Sequence, residues 1–156
     1  MFVSIIMNAH NGEEFLKEAL GSALEQTYKN FEIIFWDNCS DDKTQGIVNS
    51  YNDERIKYFY SDEFTSLGQA RNAAIHESSG DLVAFLDCDD IWMPNKLEAQ
   101  VPVFNDKDIG IVISDTIFFD KKRDRRQLFK NKKPPIGMVF RNLITDYFIS
   151  LETVVI

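Results

Sequence analysis

Leu82-Val83-Ala84-Phe85-Leu86 runs directly into Asp87-Cys88-Asp89-Asp90. Five apolar residues without a polar break read as a strand buried on both faces, since a half-exposed strand would alternate. Three carboxylates in the next four positions end that strand at one edge of a sheet. The same join recurs along the chain. Residues 2–7 (FVSIIM) are closed by the polar segment 8–12, and residues 31–36 (FEIIFW) by Asp37-Asn38-Cys39-Ser40-Asp41-Asp42. A third strand is expected near residues 56–60, and residues 109–113 (IGIVI) read as a fifth, ending at Ser114-Asp115.

Helical patterns fill the intervals. Phe15, Leu16, Ala19, Leu20, Ala23 and Leu24 share one helix face, with Asn11 as the expected N-cap and Glu13-Glu14 at the positive end. A second helix carries Ile47 and Val48, and a third covers about residues 67–77 and stops by Gly80. Pro94 opens a fourth, holding Leu97 and Val101. Strands alternating with helices predict an α/β fold, a mostly parallel sheet with helices on both faces.

The composition suits a single globular domain: 156 residues, 44% hydrophobic and 27% charged. No apolar run approaches the roughly 18–20 residues that span a bilayer. The N-terminus lacks the pattern of a secretory signal. Cys39 and Cys88 are too few for a disulfide framework, which points to reduced thiols in the cytoplasm. The net charge of −8 argues against nucleic acid as a partner. That charge is unevenly spread: residues 121–133 hold eight Lys/Arg against one acid, a local +7 on a body of −15. Such a block reads as a solvated loop, or as a peripheral contact with anionic lipid worth about 1 kcal/mol per cation.

In open α/β sheets, ligands bind beyond the carboxyl ends of the strands. Three of those ends here are polar: residues 8–11, 37–42 and 87–90. Asp41 and Asp42 suit caps and turns. The three carboxylates at 87–90 repel one another, and Mg²⁺ or Mn²⁺ relieves that repulsion while completing its shell with substrate phosphates. A dinucleotide site fares worse, because residues 7–12 offer one glycine where a Gly-x-Gly-x-x-Gly turn needs three. No Walker motif is present. Cys88, between two acids, is a space-filler rather than a nucleophile, since neighbouring anions raise a thiol's pKa. His76 reads as a surface residue and Trp92 and Met93 as packing.

Five segments in order carry a family resemblance: residues 3–11 (VSIIMNAHN), Gln26-Thr27-Tyr28 with Phe31-Glu32, residues 37–42, Gly68-x-x-Arg71-Asn72, and residues 85–90 (FLDCDD) followed by Pro94-x-Lys96-Leu97. Together they resemble the donor-binding half of a family 2 inverting glycosyltransferase of the GT-A fold, a Rossmann-like architecture. The resemblance implies that Asn8 and His10 line a nucleobase, His10 standing where the family has a base-stacking aromatic. It implies that Asp37 accepts from a uracil imide and that Arg71 approaches the pyrophosphate or donor sugar. Asp87 would lie near the ribose and Asp89 on a Mn²⁺ or Mg²⁺ ion, as the two acids of a DXD motif. The implied donor is a UDP-sugar. The implied acceptor is a glycan or lipid-linked saccharide at the cytoplasmic side of a bacterial membrane.

The resemblance divides the chain into a donor-binding unit, residues 1–120, and a basic loop with the start of an acceptor-side region, residues 121–156. Inverting transfer needs a general base, which the family places downstream of the DXD segment. The chain ends about where the strand before that motif would begin, so the expectation is a chain lacking most of the acceptor half and its base. Asp146 and Glu152 lie in no matching context, and Asp115 is the first substitute. Apolar surface exposed around residues 140–156 would favour a homo-oligomer. The competing reading is a nucleotide-diphosphate-binding protein without turnover. A nucleotidyltransferase would need a glycine- and basic-rich first loop, which is absent.

Overall fold

The computed structural model describes residues 1–119, 125–130, 133–146 and 148–156. Four parallel strands form the central sheet: β1 (Val3–Ala9), β2 (Phe31–Asp37), β3 (Ile56–Tyr60) and β4 (Leu82–Phe85), in the order β3-β2-β1-β4. Ile6 of β1 aligns with Ile34 on one side and Phe85 on the other. Every residue of β1 is buried, as an uninterrupted apolar run requires.

Side-chain alternation divides the core between the two faces of the sheet. On one, Val3, Ile5, Met7, Ile33 and Phe35 pack with Leu16, Ala19, Leu20 and Ala23 of α1 (Leu16–Leu24), Val48 of α2 (Thr44–Ser50) and Leu97 of α4 (Lys96–Gln100). On the other, Ile6, Ile34 and Phe85 meet Ala74 of α3 (Leu67–His76). Ala70 and Ala74 are buried on α3, and their small size seats that helix close to the sheet. Ser66 and Gln69 close a reciprocal capping box at its start.

Three local expectations change. Asn11 does not cap α1. It sits at φ 55° and its Oδ1 accepts from the Asp41 amide, while Phe15 holds the N-cap position. Residues 109–113 form no fifth strand: Val112 makes one antiparallel bridge to Val155. The edge of β4 is taken instead by the last residues, with Val83 and Ile156 exchanging backbone hydrogen bonds of 2.8 and 2.9 Å. Val154 and Val155 are therefore buried rather than exposed, whereas Phe140 and Ile144 on α5 (Phe140–Thr145) are each 70% exposed. A small antiparallel pair, β5 (Ile117–Phe119) with β6 (Arg125–Gln127), lies apart from the main sheet. Much of the basic segment 121–133 falls outside the described residues.

Candidate functional site

All four parallel strands deliver their polar ends to one side. The loops after β1 and β2 are laced together there: the amides of Asn11, Gly12 and Glu13 donate to Ser40 Oγ, Thr44 Oγ1 and Asp42 Oδ2, each at 2.9 Å. Asp42 also accepts from the Thr44 amide at 2.9 Å, the capping role expected of it. Asn38 ties in the loop after β3. Its Nδ2 donates to Thr65 O at 2.8 Å, and its Oδ1 accepts from the Thr65 amide and hydroxyl at 3.2 and 2.9 Å.

These loops enclose a pocket of about 320 Å³ whose walls include Asn8, His10, Asn38, Phe64, Asp87 and Asp89. Asn8 is 7% exposed, and its Nδ2 has no hydrogen-bond partner among the described residues. A buried donor left unpaired costs about 1–3 kcal/mol, which an incoming acceptor would relieve. His10 Nδ1 lies 3.0 Å from Asn38 O, which makes that nitrogen the protonated one, and its ring is 4.4 Å from the Phe64 ring between centroids.

Arg71 projects from α3 to Asp87, its Nη2 2.6 and 2.9 Å from the two carboxylate oxygens. Asp87 thus has its counter-charge from the protein. Asp89 is exposed on the rim, and its carboxylate accepts no hydrogen bond among the described residues. Burial, with Glu152 and Asp89 nearby, pushes Asp90 up to about 7. Burial and the flanking acids push the Cys88 thiol up to about 11, so it stays protonated, as a space-filler should.

Asp37 is fully buried beneath the pocket and absent from its walls. Its Oδ1 accepts from the Ser40 amide at 2.9 Å and its Oδ2 from the Tyr58 hydroxyl at 2.7 Å. Burial and Asp37 together raise the pKa of Tyr58, so that hydroxyl remains a donor. Of the residues expected from the sequence, the structure brings Asn8, His10, Asp87 and Asp89 to one pocket and Arg71 to Asp87, while Asn38, Phe64 and Thr65 were not expected there. Only the polar run at 37–42 hinted at Asn38; an aromatic between Glu63 and Thr65 carries no local signature.

A second cavity of about 510 Å³ is lined by Asp90, Trp92, Lys96, Asp115 and Glu152 among others. Trp92 is 4% exposed, its Nε1 donates to Glu152 O at 2.9 Å, and Lys96 Nζ stands 4.4 Å above its ring. Burial pushes the Lys96 amine down to about 7. Asp115 accepts from the amides of Thr116 and Phe129 and from Gln127 Nε2, so both its oxygens hold the β5–β6 pair. Glu152 Oε1 accepts from the hydroxyls of Thr116 and Ser150.

As a donor for a hard divalent cation, Asp89 fits the pattern of one carboxylate completed by water and phosphate, Asp87 being engaged by Arg71. Among the described residues no three His, Cys, Asp or Glu side chains form a ready-made cage. None of the described helices is long and apolar enough to cross a membrane.

Comparison with known proteins places these features in a lineage. The family model described as "Glycosyl transferase family 2" matches residues 4–152. WfgD of Escherichia coli, a UDP-Glc:alpha-D-GlcNAc-diphosphoundecaprenol beta-1,3-glucosyltransferase, is 39% identical over 110 residues, covering 70% of this chain and 44% of that protein. TuaG of Bacillus subtilis, named for teichuronic acid biosynthesis, is 31% identical over 156 residues, 99% of this chain and 61% of its own length. The crystal structure of S. aureus TarS 1–349 with UDP-GlcNAc superposes with a TM-score of 0.80 at 24% identity, covering 99% of this chain and 45% of that one. The chain therefore spans less than two thirds of the length of each of these three proteins.

Proposed function

The chain belongs to glycosyl transferase family 2, and on that premise we propose that its pocket binds a UDP-sugar for inverting transfer to a glycan or lipid-linked acceptor. The observation that carries this reading is the pocket's lining, which combines Asn8 with its unpaired buried donor and the His10 ring with the Asp87 and Asp89 carboxylates. A nucleotide needs partners for base and phosphate within one cleft.

Asn8 Nδ2 donates to the base or ribose, and His10 supplies an apolar face. Arg71 fixes the Asp87 carboxylate and places a guanidinium near the donor's phosphates. For Asp37 the proposed role is to accept from the base imide, which requires the Tyr58 hydroxyl to give way, since the carboxylate is fully buried and both its oxygens are bonded. Asp89 is the proposed ligand of Mn²⁺ or Mg²⁺. Such an ion supplies neutralisation of the leaving diphosphate. No residue is assigned as general base, because the Asp115 oxygens and Glu152 Oε1 are engaged in holding their own loops. That engagement is also what favours the second reading, a binding protein without turnover.

WfgD's lipid-linked acceptor supports the same acceptor class here, with action at the cytoplasmic face of the membrane. Residues 121–133 are the proposed peripheral contact, and exposed Phe140 and Ile144 the surface for a homo-oligomer. Residues 1–120 are the proposed donor-binding unit and 121–156 the proposed start of the acceptor side, except that residues 154–156 return to complete the sheet of the first.

A thermal-shift panel of UDP, GDP, TDP and CDP with and without Mn²⁺ tests the central claim. UDP with Mn²⁺ at 100 times its Kd should stabilise the fold by about 2.7 kcal/mol. Asp89→Ala should abolish the Mn²⁺-dependent part with an unchanged melting temperature in the absence of ligand, since Asp89 is exposed and unbonded. Full retention of the Mn²⁺ response would remove Asp89 from the metal. UDP release from UDP-sugar that depends on added acceptor separates transferase from binder.

A further inference from the structure

Phe64 is 63% exposed in a stretch otherwise suited to water, Ser61-Asp62-Glu63 before it and Thr65-Ser66 after. A lone exposed aromatic needs no explanation by itself. This one is held in place from both sides. The Ser61 amide donates to Asp37 O at 2.9 Å and the Ser61 hydroxyl to Glu63 O at 2.6 Å. Thr65 is clamped by Asn38 through three hydrogen bonds, and Ser66 is locked into the capping box of α3. The backbone around Phe64 is thus bonded to the ends of β2 and α3, and its ring forms part of the pocket wall.

The Phe64 and His10 rings lie 4.4 Å apart with planes 55° to each other. That spacing leaves no room for a third ring between them, so the pair makes a corner, not a slot. His10 is itself fixed through Nδ1 to Asn38 O. One residue, Asn38, therefore positions both walls of the corner, and the corner opens into the cavity that also holds Asn8.

We propose that Phe64 is the stacking platform for the donor's nucleobase, with His10 as the side wall. This rests on the nucleotide reading above. Every base has a π-face, so a phenyl platform gives affinity with little choice among bases. Discrimination is left to polar edges such as Asn8.

Calorimetric titration with UDP and with ribose 5-diphosphate, which has no base, tests the assignment in the full chain. Phe64→Ala should weaken UDP about tenfold or more and leave ribose 5-diphosphate unchanged, with CDP and GDP weakened to a similar degree. Phe64→Trp should restore binding. The uracil H5 and H6 proton resonances should shift upfield on binding to the wild type and lose that shift with Phe64→Ala. Wild-type affinity for UDP in Phe64→Ala, or equal losses for UDP and ribose 5-diphosphate, would overturn the platform while leaving the nucleotide site standing. A wild-type chain that binds no nucleoside diphosphate would overturn the nucleotide reading and this inference with it.

Discussion

A methyl group on residue 80 would lie 2.5 Å from the Ser4 amide nitrogen and 2.8 Å from both Leu82 O and Ser4 Oγ. Two of those atoms are sheet backbone and cannot swing aside. The Gly80 amide also donates to Ser4 Oγ at 2.8 Å, so the turn is drawn against β1 at the point where any side chain would push it off. Gly80→Ala should therefore cost about 1–3 kcal/mol by overpacking, read as a lower urea midpoint with an unchanged slope. A stability equal to wild type would mean that the turn can shift. Gly80 was legible in the sequence as the stop of a helix, but its close contact with Ser4 was not, because 76 residues separate the partners. The site divides in the same way. Asp87 and Asp89 stand out because carboxylates after an apolar strand have few other uses. Asn38 and Phe64 matter only through what folding brings beside them.

At the scale of elements, Glu32 binds three strands and a turn. It sits in β2, 3% exposed, and its Oε1 accepts from Ser4 Oγ of β1 at 2.6 Å and from the Ser79 amide and hydroxyl at 2.8 and 2.9 Å. Its other oxygen is 2.5 Å from Lys57 Nζ of β3. Burial alone would raise the Glu32 pKa, but Lys57, Ser4 and Ser79 outweigh it, and the net shift is downward. The folded state thus holds this carboxylate ionised below its unfolded pKa of about 4.3. Its contribution is complete above that value and is lost as pH falls through the folded one. Glu32→Gln keeps the size and removes the charge, and should cost about 1.5–3 kcal/mol at pH 7. The gap between variant and wild type should narrow as pH drops from 5 to 3. Denaturation curves across that range check both parts, and a gap constant with pH would show that Lys57 and the serines do not depend on the charge. A charged residue inside β2 was visible in the sequence; its partners on two neighbouring strands were not.

Over the whole molecule, alternation of apolar runs and helical periods was enough to reveal a parallel sheet, because both signals are local. What stayed hidden was who pairs with β4. Residues 109–113 looked the better strand, but Gly110 interrupts them and they are only half-buried or exposed, while residues 154–156 take the edge of β4 in antiparallel fashion. The choice between two short apolar runs is made by tertiary contacts. Trp92 Nε1 bonds to Glu152 O at 2.9 Å, Gln100 Nε2 to Thr153 O at 2.8 Å, and Val155 is completely buried between Ala84 and Val112. These contacts make the last eight residues part of the core that holds the pocket. Deleting residues 149–156 would strip the edge of β4, leave the Val83 and Val112 backbone groups unpaired and uncover Ala84. Three buried apolar side chains would go with it: Ile149, Val154 and Val155. At about 1.5–3 kcal/mol per fully buried apolar side chain, the loss rivals the 5–15 kcal/mol of a typical domain. The deleted chain should melt far below the full one and self-associate through its bare strand edge, seen by calorimetry and sedimentation. A deletion variant that stays monomeric and melts with the parent would show that the sheet closes without its final strand segment. The proposed donor-binding unit would then end, energetically as well as in sequence, near residue 120.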